Sequence, residues 1–192
     1  MAETILTERF DRALIFARQL HKDQFRKGTE IPYITHLLSV SALVLEDGGD
    51  EDQAIAALLH DAAEDQGGYQ TLNDIRQQFG NRVAHIVEGC SDTFEFPKPP
   101  WLERKESYIA HLRTAEIDIW RVSLADKLHN ARTILMDLRL NGDTTWMRFS
   151  GGKDGALWYY QTLAEVFQEK YDSPMVAELT RLVDEIIRLA AD

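Results

Sequence analysis

The stretch Asp52-Gln-Ala-Ile-Ala-Ala-Leu-Leu-His-Asp-Ala-Ala-Glu64 indicates which kind of fold this chain adopts. Alanine and leucine are strong helix formers, and they dominate this stretch without a glycine or proline to interrupt it. The wholly apolar run from Ala54 to Leu59 leaves no polar face for water, which is typical of a helix buried in a protein core. We therefore predict a core helix from Asp52 to about Glu64.

The same helical periodicity extends along nearly the whole chain, with no alternating strand pattern and no internal repeat. The proline-rich run from Phe94 to Pro100 is predicted to be a loop, because proline removes backbone donors and fixes φ. A capping box at Thr71 to Asp74, and Ser173 followed by Pro174, predict the starts of two further helices. The expected helices cover about 10–20, 33–45, 52–64, 71–80, 81–89, 102–112 and 119–140, followed by an irregular stretch at 142–152 and two closing helices.

These segments predict an all-α fold in which about eight helices pack irregularly rather than as a regular heptad bundle. A chain of 192 residues is long enough to bury a full hydrophobic core, so we expect a single domain over 1–192.

Composition and charge narrow the classes of function. The chain carries 21 Lys and Arg against 32 Asp and Glu, a formal net charge of −11. Because binding to DNA or RNA needs a broad basic face, a nucleic-acid polymer is not an expected partner. The longest apolar run is far shorter than the roughly 20 residues of a membrane span, so no membrane association is expected. The single cysteine, Cys90, and an N-terminus without a signal-peptide pattern predict a cytoplasmic protein.

One short string, Leu59-His60-Asp61-Ala-Ala-Glu64-Asp65, concentrates ionisable side chains. On a helix, residues four apart share a face, so His60 lies beside Glu64 and Asp61 beside Asp65. No basic residue lies nearby in the sequence. The cluster is therefore repulsive unless a cation or distant basic groups compensate it, and the alternative is a solvated acidic helix end.

Two further positions add candidate metal ligands. His36 lies on an otherwise apolar helix face, where the alternative is a hydrogen-bonded core histidine. Asp126 interrupts an apolar stretch in which a lone carboxylate would be costly to bury, and Asn130 follows four residues later on the same face. His36 and Asp126, together with His60 and Asp61, make a set of two histidines and two aspartates. Such a set suits Mn²⁺, Fe²⁺, Zn²⁺ or Co²⁺ as a bound ion.

Three segments in this order carry a resemblance to a known family: Gln24-Phe-Arg-Lys-Gly-Thr-Glu-Ile-Pro-Tyr-Ile-Thr-His36, His60-Asp-Ala-Ala-Glu-Asp65 and Leu124-Ala-Asp-Lys-Leu-His-Asn130. They resemble the HD superfamily of metal-dependent phosphohydrolases. More narrowly, they are similar to the hydrolase domain of RelA/SpoT-type enzymes and to the stand-alone small alarmone hydrolases. The similarity covers about 13–133, and helices at 152–191 are expected to complete the domain. A chain of 192 residues has no room for the synthetase and regulatory domains of the long RelA/SpoT enzymes, so a hydrolase domain alone is expected.

This resemblance implies a function and a site. The function is metal-dependent hydrolysis of the alarmone (p)ppGpp, which releases 3′-pyrophosphate and leaves GDP or GTP. One divalent ion, Mn²⁺ in that family, would be held by four ligands, and a pair of acids would act on the attacking water. The implied ligands are His36, His60, Asp61 and Asp126, and the implied catalytic acids are Glu64 and Asp65.

Binding so much phosphate charge needs cations. By their place in the motifs, Arg26, Lys27 and Lys127 are candidates to contact phosphate, and Asn130 to contact the ribose or a phosphate. Lys153 and Trp146 are candidates for a distal phosphate and for stacking on the base. The alternatives are solvated surface charges for the basic residues and a core position for the tryptophan.

Two other functions remain open at this stage. The same site would also suit another nucleotide, such as an adenine alarmone, NADPH or a nucleoside monophosphate. A non-catalytic nucleotide-binding module is a third possibility. In each case the expected partner is a small phosphorylated nucleotide, and the oligomeric state, monomer or homodimer, stays open.

Overall fold

The computed structural model describes residues 4–95 and 97–191, so Phe96 of the expected loop, and the two ends of the expected 1–192 domain, lie outside the described residues. Within these ranges the chain forms ten α-helices, one 3₁₀ helix and no β-strand, which confirms the all-α prediction. None of these helices is both long and apolar enough to cross a bilayer. The helices are α1 (Glu8–Leu20), α2 (Ile34–Glu46), α3 (Glu51–Leu59), α4 (Ala62–Gln66), α5 (Gly68–Phe79), α6 (Asn81–Cys90), α7 (Trp101–Thr114), α8 (Ile117–Asn141), the 3₁₀ helix (Gly142–Arg148), α9 (Gly152–Lys170) and α10 (Pro174–Ala191).

The chain divides into two compact units. The first contains the described residues up to Lys98 together with 115–125, and the second contains 99–114 and the residues from Asp126 onward. Helix α8 is continuous and supplies residues to both. The single domain over 1–192 stays a prediction.

Helix α3 is the centre of the first unit and packs against α1, α2 and α6. Every residue from Gln53 to Leu59 is buried, which confirms the predicted core helix. The helix begins with a capping box in which the Asp50 carboxylate accepts from the Gln53 backbone N–H at 3.0 Å. The Gln53 side-chain oxygen accepts in return from the Asp50 N–H at 3.0 Å.

The prediction of one continuous helix from Asp52 to Glu64 is wrong, because α3 ends at Leu59 and a separate helix, α4, begins at Ala62. Between them, the His60 ring nitrogen Nδ1 lies 2.8 Å from the Ala57 carbonyl oxygen. In a regular helix that carbonyl accepts from the backbone four residues on, so the imidazole competes for it and favours a break. Helix α4 therefore starts just after the two ionisable residues.

The predicted capping box at Thr71 is also wrong, because α5 begins three residues earlier, at Gly68. Gly67 and Gly68 both adopt positive φ, +135° and +60°, and so make the turn that ends α4. Thr71 lies inside the helix, where its hydroxyl donates to the Gln66 carbonyl at 2.8 Å. The two glycines, rather than the threonine, set the direction of the chain after α4.

In the second unit, α9 packs against α7, α10 and the 3₁₀ helix. The predicted start of α10 is confirmed: Pro174 is its first residue, and the Ser173 hydroxyl accepts from the Val176 N–H at 3.3 Å. Most of the stretch expected to be irregular at 142–152 is the 3₁₀ helix.

Candidate functional site

His60, at the end of α3, presents one ring nitrogen toward a carboxylate. Its side chain is 2% exposed. The Ala57 carbonyl at 2.8 Å from Nδ1 can only accept, so Nδ1 carries the hydrogen, and in the neutral imidazole Nε2 then presents a lone pair. That Nε2 lies 3.0 Å from Oδ2 of Asp61. A lone pair and a carboxylate oxygen at this separation repel each other unless a proton or a metal cation accompanies them, so this donor set fits a cation.

A second histidine from α2 meets the same carboxylate. His36 is 1% exposed, and its Nε2 lies 3.6 Å from Asp61 Oδ2. The rings of His36 and His60 contact each other with centroids 5.1 Å apart. Tyr33, at the start of α2, donates its hydroxyl to Asp61 Oδ2 at 2.6 Å and so orients the carboxylate. Two imidazoles and one carboxylate therefore converge here.

Asp126 follows directly after Ala125 in α8 and is 7% exposed. The two carboxylate oxygens of Asp126 accept at 2.5 Å from Asn130 Nδ2 and from Lys127 Nζ.

Lys127 is a buried cation beside this aspartate. Its ammonium group lies 4.9 Å from the centre of the Tyr108 ring. Burial lowers the pKa of Lys127, but Asp126 together with Tyr108 and Tyr159 outweighs burial and keeps that pKa well above its ordinary value. Lys127 therefore stays charged beside Asp126.

Glu64, in α4, is held at both oxygens. The Asp92 backbone N–H donates to Oε2 at 3.1 Å, and Lys98 Nζ donates to Oε1 at 2.8 Å. Burial, and after it the Asp92 carboxylate, raise the pKa of Glu64, while the Lys98 ammonium opposes the rise. Lys98 comes from the loop after α6, so a basic group distant in sequence compensates part of the acidic cluster.

Asp65 is the exposed neighbour of Glu64, and Gln24 Nε2 donates to its Oδ2 at 2.8 Å. Partial loss of solvent, and then the nearby Asp61 carboxylate, raise the pKa of Asp65. Carboxyl groups with raised pKa values are typical of sites that take up or deliver protons near neutral pH.

The residues expected to bind substrate have different surroundings. Arg26 lies over the Tyr33 ring at 5.7 Å, next to the tyrosine that orients Asp61, and Lys27 is exposed. In the second unit, Lys153 Nζ lies 3.1 Å from both Asp143 oxygens.

Trp146 and Asn130 are engaged within the second unit. Trp146 is 5% exposed and donates from its indole N–H to Asp143 at 3.2 Å, as expected of a core position. Asn130 is a partner of Asp126. The substrate roles of all these residues stay predictions.

Sequence reasoning missed the residues that hold the candidate ligands and acids in place. Tyr33 and Gln24 lie inside the quoted motif around His36, so their position there was an available signal. Lys98 lies in the proline-rich loop, where its sequence context gives no indication of a Glu64 partner.

The described residues form an all-α fold in which two buried histidines face the carboxylate of Asp61. The HD domain family model matches residues 13–153, and the chain belongs to that family. Family membership and the group formed by His36, His60 and Asp61 together indicate a divalent metal site.

Known proteins similar to this chain include several named as hydrolases of guanosine tetraphosphate. The guanosine-3′,5′-bis(diphosphate) 3′-pyrophosphohydrolase of Xenopus tropicalis is 40% identical over 132 residues, which cover 65% of this chain and 71% of the frog protein. The bifunctional (p)ppGpp synthase/hydrolase SpoT of Escherichia coli is 35% identical over 66% of this chain, but the match spans only 18% of that longer enzyme.

Solved structures of other proteins are also similar to this chain in fold. One, described as a metazoan ortholog of SpoT that hydrolyzes ppGpp, has a TM-score of 0.75 at 28% identity, with 97% of each chain covered. A crystal structure of a Listeria monocytogenes protein has a TM-score of 0.71 at 32% identity and covers 80% of this chain and 99% of that protein.

Proposed function

We propose that this protein is a metal-dependent phosphohydrolase that removes pyrophosphate from the 3′ position of (p)ppGpp and leaves GDP or GTP. One observation carries the proposal: the His36, His60 and Asp61 cluster stands beside an acid pair in a chain 40% identical to a ppGpp 3′-pyrophosphohydrolase. A cytoplasmic location goes with this function and is supported by the single cysteine, Cys90.

His36, His60, Asp61 and Asp126 would hold one metal ion, which we propose to be Mn²⁺. Mixed imidazole and carboxylate ligands suit this ion, and the lone pair of His60 facing Asp61 supports a cation at this point. When bound, the ion would lower the pKa of a coordinated water and polarise the phosphate.

Glu64 and Asp65 would act on the attacking water. In the proposed reaction the water oxygen forms a bond to the phosphorus on the 3′-oxygen, and the bond between that phosphorus and the 3′-oxygen breaks. One carboxylate orients the water or takes its proton, and the 3′-oxygen leaves with a proton as a hydroxyl group. The raised pKa values of both acids make proton uptake easier than for an ordinary carboxylate.

Basic side chains would bind the phosphate groups. Arg26, held over the Tyr33 ring beside Asp61, has the strongest support among these candidates. We also propose phosphate roles for Lys27 and Lys153 and contacts to substrate for Lys127, Asn130 and Trp146.

The experiment is a turnover assay with Mn²⁺-loaded protein and ppGpp that measures pyrophosphate and GDP together. We expect equal amounts of both products from the wild type. Glu64→Gln and Asp65→Asn each remove a charge at constant size, so we expect turnover to fall by about 10²-fold or more while bound Mn²⁺ stays near one per chain.

Glu103→Gln is a matched control, because Glu103 is an exposed glutamate in the second unit. It is expected to keep full turnover. Wild-type protein that binds Mn²⁺ yet releases no pyrophosphate from ppGpp would contradict the proposed substrate, and a nucleotide panel would then identify another one.

A further inference from the structure

His21 is a buried histidine that the ligand set and the acid pair do not use. It caps the C-terminus of α1 and is 2% exposed. Its ring stacks on Tyr33 with centroids 5.2 Å apart and planes inclined by 20°. Its Nδ1 lies 2.7 Å from the side-chain oxygen of Gln24. Packing alone would be served as well by a phenylalanine ring.

The partners of the Gln24 side-chain amide determine which group donates and which accepts in each of its hydrogen bonds. The amide Nε2 donates to Asp65 Oδ2 at 2.8 Å, because an ionised carboxylate only accepts. The amide Oε1 therefore faces the other way, where Gln66 Nε2 donates to it at 2.6 Å. Since Oε1 cannot donate, His21 Nδ1 must carry the hydrogen of the 2.7 Å contact. A directed chain runs from His21 through Gln24 to Asp65.

The backbone supports the same arrangement. The Gln24 N–H donates to the His21 carbonyl at 3.2 Å, and the Tyr33 N–H donates to the Gln24 carbonyl at 2.9 Å. The main chain of Gln24 is thus fixed at both of its polar groups. A flip of its side-chain amide would turn Oε1 toward Asp65, and the hydrogen bond from His21 Nδ1 to Oε1 opposes that flip.

His21 bears a cost that packing does not explain. Its Nε2 is buried without a hydrogen-bond partner among the described residues. Leaving such an acceptor unsatisfied destabilises the folded state, a penalty that an apolar ring in this place would not have. The hydrogen bond that the opposite nitrogen, Nδ1, donates to Gln24 accounts for a histidine at this position.

We propose that His21 is a positioning residue that fixes the Asp65 carboxylate through the side-chain amide of Gln24. The inference rests on the proposed function for its effect on turnover, because Asp65 is one of the two proposed acids. Its structural content, the protonated Nδ1 and the fixed carboxylate, does not depend on which nucleotide is hydrolysed.

The kinetic test uses two substitutions of His21 in the full-length protein. His21→Phe keeps the ring on Tyr33 and removes the Nδ1 donor, and we expect kcat for ppGpp to fall about tenfold with KM within about twofold. His21→Asn places an amide donor near the position of Nδ1 and is expected to recover most of the loss. His85→Phe, at an exposed histidine, is the matched control and is expected to leave kcat unchanged.

A double-mutant cycle separates positioning from a general structural effect. In an Asp65→Asn background, His21→Phe should cause no further fall in the residual kcat, because the group that it positions is already disabled. The same tenfold fall in both backgrounds would overturn the proposal, and so would a failure of His21→Asn to recover activity.

A measurement on the wild type keeps the inference testable if a His21 variant does not fold or ppGpp is not the substrate. In ¹⁵N NMR spectra, the His21 imidazole should be the tautomer protonated at Nδ1, and in crystals of Gln24→Met the Asp65 carboxylate should leave its wild-type position. A His21 tautomer protonated at Nε2, or an unmoved Asp65, overturns the inference. Absence of ppGpp turnover with both structural results as expected would overturn the proposed function alone.

Discussion

Tyr33 carries a hydrogen bond that determines where a candidate metal ligand points. Its hydroxyl lies 2.6 Å from Asp61 Oδ2, the oxygen that also faces His36 and His60. Partners of this kind fix the orientation of a ligand, and their loss weakens metal binding without removing a ligand. The candidate metal site is thus built partly by a residue that coordinates nothing.

Tyr33→Phe removes this hydroxyl and leaves the ring that stacks on His21. We expect Mn²⁺ affinity to fall by about 10- to 100-fold, the range typical of losing such a partner. Isothermal titration of the metal-free protein measures it. Tyr69→Phe is the control, because Tyr69 is 70% exposed, and it should leave affinity unchanged. Equal affinities for wild type and Tyr33→Phe would show that the hydroxyl does not orient a ligand.

Lys98 opposes the rise in the pKa of Glu64. Burial and Asp92 raise the pKa of Glu64, and the Lys98 ammonium, 2.8 Å from Oε1, partly reverses the rise. If ionised Glu64 is required for turnover, activity is lost as the pH falls through this raised pKa. The acid limb of kcat/KM therefore lies above the ordinary range of a glutamate.

Lys98→Ala removes the cation that favours ionised Glu64, so the pKa of Glu64 rises further. We expect the acid limb of the kcat/KM profile to move to higher pH, measured by ppGpp turnover across a pH series at saturating Mn²⁺. Lys22→Ala, an exposed lysine paired only weakly with Asp23, should not move it. An acid limb that stays in place, or moves to lower pH, would contradict this account.

At the scale of elements, the turn between α4 and α5 ends the helix that carries Glu64 and Asp65. Gly67 has φ of +135°, and a Cβ at this residue would stand 2.7 Å from the Thr71 hydroxyl oxygen. The residue before it, Gln66, donates to Gln24, the partner of Asp65. A side chain at Gly67 would thus strain the backbone and disturb the helix that carries both acids.

Gly67→Ala should destabilise the protein by about 1–3 kcal/mol, measured by urea unfolding. Gly80→Ala separates the two causes, because Gly80 also has positive φ, +98°, but a Cβ there meets nothing within 4 Å. We expect the loss at Gly67 to exceed the loss at Gly80 by the cost of the Thr71 clash. Equal losses would mean that backbone strain alone accounts for the effect.

The helices themselves were largely predictable, since apolar periodicity and the wholly buried run of α3 are local properties of the sequence. The errors fell where side chains compete with the backbone, at His60 between α3 and α4, and where Gly67 and Gly68 set a turn. The residue types of the candidate ligands were also visible in the motifs. The partners that orient them were not, because Lys98 reaches Glu64 across 34 residues of chain.

At the scale of the whole molecule, the net charge of −11 is distributed unevenly. Many acids near the start of α3 are paired with distant arginines: Arg82 Nη1 lies 2.6 Å from Asp50, and Arg9 Nη2 lies 2.8 Å from Asp52. Asp61 has two imidazoles and a tyrosine hydroxyl among its neighbours. Such an acid favours a bound cation, so metal binding and folding should be linked.

A bound metal should therefore raise the thermal stability of the whole chain. At a free Mn²⁺ concentration of 100 times Kd, mass action stabilises the folded state by about 2.7 kcal/mol. For a chain of this size that corresponds to a rise in Tm of roughly 5–10 °C, measured by scanning calorimetry with and without chelator. Asp61→Asn keeps an acceptor for Tyr33 but removes the ligand charge, so it should lose most of the rise. Asp74→Asn, at an acid on α5 that accepts from Gln70, should keep it. An Mn²⁺-dependent rise of the same size in Asp61→Asn would exclude Asp61 from the ligand set, because the stabilisation would then come from binding elsewhere.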